Sequence, residues 1–450
     1  MGAGRRPRIR DEGLLLKTFT PDAAAALGGP DWLRARRLAA AERFAAGPLP
    51  DPTEEIWRYS RIDQLDLDAY RPALVGAAVE VAPPAAGLPE GTGARAALAV
   101  VHNGRLARVE VDPALAAKGL VVADVAELAD GDDLLGRSTV ADAFTEMNTA
   151  FLPGATVIRV PRGMVVERPI VVVHHLDGDG IASFSRTIVL AGEASDVTVI
   201  EHQSSSDVAA FSDPVVELDV GDAARLRYLN VQDLGAKVFQ VGYQTSRVGR
   251  DATLQSSVVA LGGDYARVRT DSRVDGKGAT SYLTAVYFAD GNRMHDFRTI
   301  QDHAAPSTTS DLLFKGAVSD HARSVYSGLI RVRKEARGTN AFQTNRNLVL
   351  SEGAGAESVP NLEIETNDVV CSHASAVGPI DDEQRYYLES RGIRPDVAER
   401  LIVLGFFSEV LDRLPLSAEV TDLRAVLVRR LAARTARAPS GPLSGTSRAE

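Results

Sequence analysis

Cysteine occurs once in these 450 residues, at position 371, and a histidine follows two places later in Cys371-Ser372-His373. On an extended strand, residues i and i+2 project to the same face. The thiol and the imidazole are then close enough to share a soft metal ion or to tune each other's protonation. Two readings fit this pair. It is a metal or cluster ligand pair, or it is a buried cysteine behaving as a small hydrophobe beside a hydrogen-bonded histidine. A single thiol excludes an intrachain disulfide and a zinc site of several thiolates, and it fits a reducing compartment.

The other histidines are weaker candidates. His174 and His175 sit in "PIVVVHHLDG", where neighbouring side chains on a strand face opposite sides and cannot converge on one metal. His295 and His303, in "NRMHDFRTIQDHAAP", are eight apart with Asp296 and Asp302 between them. That is a loose ligand set without a third convergent feature, and it reads as structural. The chain has no G-x-x-x-x-G-K-[ST] loop, no H-E-x-x-H and no C-x-x-C. Gly262-Gly263 in "LGGDY" is an ordinary turn. ATP hydrolysis by this chain is therefore not expected. Trp57, in "EEIWRYS", reads as an anchor that packs the N-terminal segment on a neighbour.

The elements that position Cys371 and His373 are strands. From 155 to 378, β-branched residues dominate and period-two alternation recurs, most cleanly in Ala266 to Asp275. There Val268, Thr270, Ser272 and Val274 fall on one face, and Arg267, Arg269, Asp271 and Arg273 on the other. Glycines at 163, 192, 221, 249 and 276 are 29, 29, 28 and 27 residues apart, most with an alanine and a new strand soon after. Such a repeat marks a β-helix or related solenoid, whose units bury their apolar faces against each other. A large β-sandwich is the alternative.

Helices flank this core. Thr20-Pro21-Asp22 starts one helix, and a second spans Asp31 to Ala46. Asn103-Gly104 marks a hairpin. After the strands, one helix begins at Asp381 and ends at Gly392, and a longer one runs from Pro395 to Pro415. A third, from Ser417 to Arg434, carries a stripe of Val420, Leu423, Leu427 and Leu431 opposite an arginine-bearing face. The expected organisation is an N-terminal helical region and linker (1–95), with Pro83-Pro84 breaking any regular element. A mixed segment (96–154), the β-core (155–378), a C-terminal helical domain (379–436) and a disordered Ser, Gly and Pro-rich tail (437–450) follow.

The formal net charge is -10, from 60 acidic and 50 basic residues, so nothing points to clamping of a nucleic-acid backbone. The arginines at 5, 6, 8 and 10 and those from 424 to 437 are short exceptions. No stretch approaches the roughly 20 apolar residues of a membrane span, and the run Leu14 to Leu16 is too short for a signal peptide. A cytoplasmic protein is expected.

Residues 301–393, with "VCSHASAVG" and "YYLESRGI" near their end, resemble the core of the SufB/SufD family of iron–sulfur cluster assembly proteins. "EEIWRYS" and "MNTAFLPGATVIRVPRGMVVERPIVV" extend the resemblance over nearly the whole chain. SufD-like chains carry "KCSHGATVG", which matches at Cys371 and His373 and departs at Ala374, Ser375 and Ala376. SufB-like chains carry a cysteine where Leu388 stands, so the resemblance is to the SufD type. It implies a right-handed parallel β-helix between helical regions, and a scaffold that is not itself an enzyme. It also implies pairing with a SufB-like subunit through the β-helix and binding of a SufC ATPase through the C-terminal helices. Sulfur would arrive indirectly from a cysteine desulfurase. His373, with Cys371 second, would ligate a transient iron–sulfur cluster shared with the partner; a reduced flavin in the complex and a homodimer are also compatible. Two rivals remain: a structural partner that supplies no ligand, and a β-helix enzyme acting on polysaccharides. The 6% aromatic content disfavours the second, because sugar grooves use exposed aromatics.

Overall fold

The computed structural model describes residues 16–73, 95–137, 142–415 and 423–432. The N-terminal arginines, the Pro83-Pro84 loop, Val420 with the start of the last helix, and the tail lie outside these described residues.

From Thr156–Val160 to Val369–Gly378, successive long strands alternate between two sheets. Tyr265–Val274 lies between Val238–Val248 and Met294–His303 in one sheet, parallel to both. Thr280–Ala289 lies in the other sheet, parallel to Thr253–Ala260 and Thr309–Val318. Each coil thus gives one strand to each sheet, and about eight turns stack into a parallel β-solenoid. This pattern rules out the sandwich, whose sheets are antiparallel.

The recurring glycines stand at the corners, but not for the sake of a left-handed backbone. At Gly192 and Gly221 a Cβ would lie 2.7 Å from the Val160 carbonyl and 2.9 Å from the Ala191 carbonyl of the coil below, and at Gly276 it would fall on the Arg250 backbone. The left-handed residue comes two places later, at Ala194, Ala223, Asp251 and Gly278, with φ of 57°, 57°, 54° and 75°. Close approach between coils is what demands glycine. Gly163 differs, having φ of 68° and open space around it.

Within Tyr265–Val274, Thr270, Ser272 and Val274 are buried in the interior while Arg273 reaches solvent. Arg267 points outward, yet it is only 2% exposed because the N-terminal segment covers it. Its guanidinium lies 3.8 Å from the Trp57 ring centroid, donates to the Ile56 carbonyl, and pairs with Asp296 at 2.8 Å. Arg298 also pairs with Asp296 and donates to the Arg58 carbonyl. Burial alone would raise the Asp296 pKa, but the two guanidiniums hold it below the usual carboxylate value. Trp57 is the expected anchor, set in an ionic clamp.

The two ends differ. At the N-terminal end, Ala97–His102 adds in parallel to Ile170–Leu176, and the Asn103-Gly104 turn, with φ of 50° and 86°, folds Arg105–Val111 back antiparallel. Val121–Asp124 likewise runs antiparallel to Thr156–Val160. At the C-terminal end, Gly355–Ile364 and Val369–Gly378 each have a strand on one side only among the described residues.

Helices cover the outer faces. Thr20 caps Pro21–Ala25, and Asp31–Ala46 packs beside Ala143–Phe151. Pro395–Leu411 and the helix at 423–432 lie on the outer face of the ten-stranded sheet. There Val403, Phe407, Leu427 and Leu431 bury themselves against Leu229, Val259, Phe288 and Leu313. Lys315 projects from that sheet to the Phe406 carbonyl and to Glu409 at 2.6 Å. No helix among the described residues is long and apolar enough to cross a membrane.

His295 and His303 both point into the interior and are fully buried. His295 bonds the Gly262 carbonyl; His303 bonds Thr308 and Ser310, both at 2.8 Å. Asp302 faces outward to Arg333, and Asp296 to the clamp. The two imidazoles are structural, as their sequence context suggests. Burial lowers both from 6.5 to about 4, so they are neutral in the fold at pH 7.

Two outcomes follow for stability. Gly276→Ala is expected to cost about 1–3 kcal/mol through backbone overlap between coils. Gly405→Ala, at an exposed helix position with nothing within 4 Å, should stabilise by about 0.5–1 kcal/mol. Urea unfolding reads both, and equal effects of one sign would contradict the packing described. Second, the unfolded chain protonates histidine near 6.5 and the folded chain only near 4. The contribution of His303 is therefore complete above 6.5 and lost as pH falls towards 4. His303→Gln should flatten the dependence of unfolding free energy on pH in that window by about 1.4 kcal/mol per pH unit. An unchanged slope would mean that His303 titrates normally.

Candidate functional site

The final strand, Val369–Gly378, pairs in parallel with Thr339–Val349, with Cys371 beside Ala341 and His373 beside Gln343. Ala341 and Gln343 point into the solenoid and are buried. The register therefore puts Cys371 and His373 on the inner face of the last coil, side by side as their spacing requires. Cys371 is half-buried against Ile330, Val332, Ala336 and Ala341. That burial pushes its thiol up, and a backbone hydrogen bond at Ala341 offsets only part of the effect. The neutral thiol must lose its proton to bind a metal. His373 is exposed.

The facing strand, Gly355–Ile364, directs Ser358, Pro360, Leu362 and Ile364 inward, in register with Tyr326, Gly328, Ile330 and Val332 of the coil below. In earlier coils the next coil covers such positions. Here Leu362, Ile364 and Val377 remain 39%, 43% and 44% exposed, an apolar rim around the cysteine and histidine. Among the described residues no strand pairs with the outer edge of either terminal strand, so both edges present unpaired backbone groups. Beside them the helix Asp382–Ser390, capped by Asp381, exposes Tyr386 and Tyr387.

The structure thus brings Cys371 and His373 together and keeps His174, His295 and His303 apart from them. His174 faces the interior near the other end, 2.9 Å from the buried Glu201, while His175 faces outward and bonds Ser204. Among the described residues, no group of three or more His, Cys, Asp or Glu side chains is arranged to hold a metal ion. Two features of the site escaped the sequence reading. One is the aliphatic rim, and the other is Gln343, a buried amide beside His373. The alternation in "TNAFQTNRNLV" does place Ala341, Gln343, Asn345 and Asn347 on one face, which is a signal that a polar row points inward.

The family model for the SUF system FeS cluster assembly SufBD core domain matches residues 174–406, which include the later coils and this site. The chain is 36% identical over 316 residues to an iron–sulfur cluster assembly SufBD family protein of Mycobacterium tuberculosis, covering 67% of this chain and 77% of that protein. It is 31% identical over 296 residues to the iron–sulfur cluster assembly protein SufD of Escherichia coli, covering 64% and 70%. With the SufD of Bacillus subtilis it shares 26% over 416 residues, covering 89% and 94%. With this match over half of its length and a parallel solenoid as its core, the chain belongs to the SufB/SufD family of iron–sulfur cluster assembly proteins and is of the SufD type.

Proposed function

We propose that this chain is a non-catalytic scaffold subunit that helps build nascent iron–sulfur clusters at its open terminal coil, in a site completed by a SufB-like subunit. The observation that carries this reading is the exposed His373 beside Cys371 on an inner face that no further coil covers among the described residues. Two ligands fall short of the four that an iron–sulfur cluster usually takes, so a second chain supplies the rest. The aliphatic rim and the open strand edges suit such a partner, because strand addition satisfies the edge backbone while burying Leu362, Ile364 and Val377. The iron and sulfide are cargo. A neutral imidazole binds iron without adding negative charge, and Cys371 gives up its proton on binding. Sulfur reaches the site indirectly from a cysteine desulfurase. A structural partner that supplies no ligand is the second reading, favoured by the high thiol pKa of Cys371.

Energy enters through a SufC ATPase docked on the C-terminal helices, since this chain has no phosphate-cradling loop. The apolar stripe of Leu423, Leu427 and Leu431 is already buried against the solenoid, so the ATPase meets the opposite side, where Leu401 is 48% exposed and Val428 is also accessible. Removing residues from Arg394 onward would uncover the sheet beneath, so point variants are the better test.

Two outcomes are expected. In the reconstituted complex, His373→Ala should lose most of its iron and sulfide while the subunits still co-elute, and Cys371→Ser should lose less. Full cluster content in the histidine variant leaves only the structural-partner reading. Leu401→Glu and Val428→Glu should each weaken ATPase binding about tenfold or more, as loss of an apolar anchor does, with an unchanged unfolding midpoint. Binding at wild-type strength in both would move the ATPase contact elsewhere, for instance to Tyr386 and Tyr387.

A further inference from the structure

Gln343 is 1% exposed, and among the described residues neither its Nε2 nor its Oε1 has a hydrogen-bond partner. Other buried carboxamides of the interior make at least one hydrogen bond, and Gln301, whose Oε1 has none, still donates its Nε2 to Ser310. Gln232, Gln240 and Gln203 form a chain, Gln244 donates to Ser256, and Asn345 and Asn347 bond each other and Tyr287. An unmade pair of amide hydrogen bonds in the interior is costly, and an apolar residue of similar shape would avoid the cost. The fold accepts one at this place: the same column in the two preceding coils holds Leu283 and Leu312, both buried. The column then reads Leu283, Leu312, Gln343, His373. Further back the column holds Tyr228 and Ser256, but these polar groups bond Glu201 and Gln244, whereas Gln343, beside the candidate ligand, has no bond at either amide atom.

We infer that Gln343 is a positioning residue for His373, accepting the proton of the imidazole Nδ1 on its Oε1 and so turning Nε2 towards the metal. The inference rests on the reading of His373 as a ligand. A metal-bound histidine nearly always gives its second ring N–H to an acceptor, which fixes the tautomer and the ring plane. Gln343 is the in-register neighbour of His373, one strand spacing of about 4.8 Å away on the same face. Cys371 and Ser375, two residues along the strand, are about 6.6 Å away. Across the coil stands Gly328, where a Cβ would come within 2.6 Å of the Gln343 Nε2. The missing side chain there makes the room in which the amide lies. The carboxamide is held by packing and not by hydrogen bonds, free to take up the imidazole once a partner closes the open end.

The test is Gln343→Met in the full chain, alone and assembled with its SufB-like partner, beside Gln343→Glu and His373→Ala. Thermal unfolding of the chain alone and anaerobic Fe²⁺ titration of the complex are the two readouts. The expected result is a Gln343→Met chain at least as stable as the wild type whose complex binds Fe²⁺ about tenfold or more weakly. Gln343→Glu, which keeps an acceptor at the same reach, should restore binding. Wild-type Fe²⁺ affinity in Gln343→Met, with binding lost in His373→Ala, overturns the positioning role and leaves the ligand reading standing. Undiminished binding in His373→Ala removes both. A lowered unfolding midpoint in Gln343→Met would make Gln343 a packing residue and also overturn the inference.

Discussion

Each coil of this solenoid can bury its inner face and satisfy its strand backbones only against the coils on either side, and nearly every other feature follows from that dependence. Parallel strands stay in register over about ten residues, as between Met294–His303 and Arg323–Val332, because a slip of one place would turn every interior residue outward. The corners must then lie almost in contact, so glycine stands at 192, 221 and 276, where one turn presses on the backbone of another. The interior can be polar as long as the column of neighbours supplies partners, which the Gln203, Gln240 and Gln232 chain does.

Stacking says nothing about the outer faces, and other interactions cover those. The N-terminal segment is tied down by charge: Asp296 sits between Arg267 and Arg298, which reach the Ile56 and Arg58 carbonyls. A buried ion pair of this kind adds little net stability, but it fixes one position for the strap, because any other arrangement strands a charge. The C-terminal helices are held chiefly by apolar contact, with Lys315 and Arg430 as polar ties. With both faces covered, the terminal coil is where the interior of the solenoid meets solvent, and that is where the cysteine and histidine lie.

Much of this is legible in the sequence because it is local or periodic. The helix Asp31–Ala46, the Asn103-Gly104 turn, the alternation in Tyr265–Val274 and the glycine interval each depend on residues within one turn of the chain. What is not legible depends on distant neighbours. Arg267 occupies an outward position in the pattern, and only the strap more than 200 residues earlier makes it a buried residue. His373 reads in the sequence as a strand histidine on the same face as Cys371, with nothing in the pattern to say whether that face is covered. Its exposure comes from the coil being the last; the spacing from Cys371 marks it as a candidate, and resemblance to a family places it ahead of the cysteine. The room in which the Gln343 amide lies depends on what the facing Gly328 lacks, which no pattern in its own strand reveals.

The unlike ends of the solenoid carry a further consequence. Parallel coils resemble a fibre cut to length, and a second molecule could in principle stack on either end and continue it. The N-terminal end is closed to this by the antiparallel return of Arg105–Val111, which carries Arg105, Arg108 and Glu110, and by the four-residue strand Val121–Asp124. Charged and very short edge strands are how sheets avoid unlimited growth. With one end blunted and the other open, strand addition along the solenoid axis has a single end left to use among the described residues, and that end is the one where the interior is uncovered.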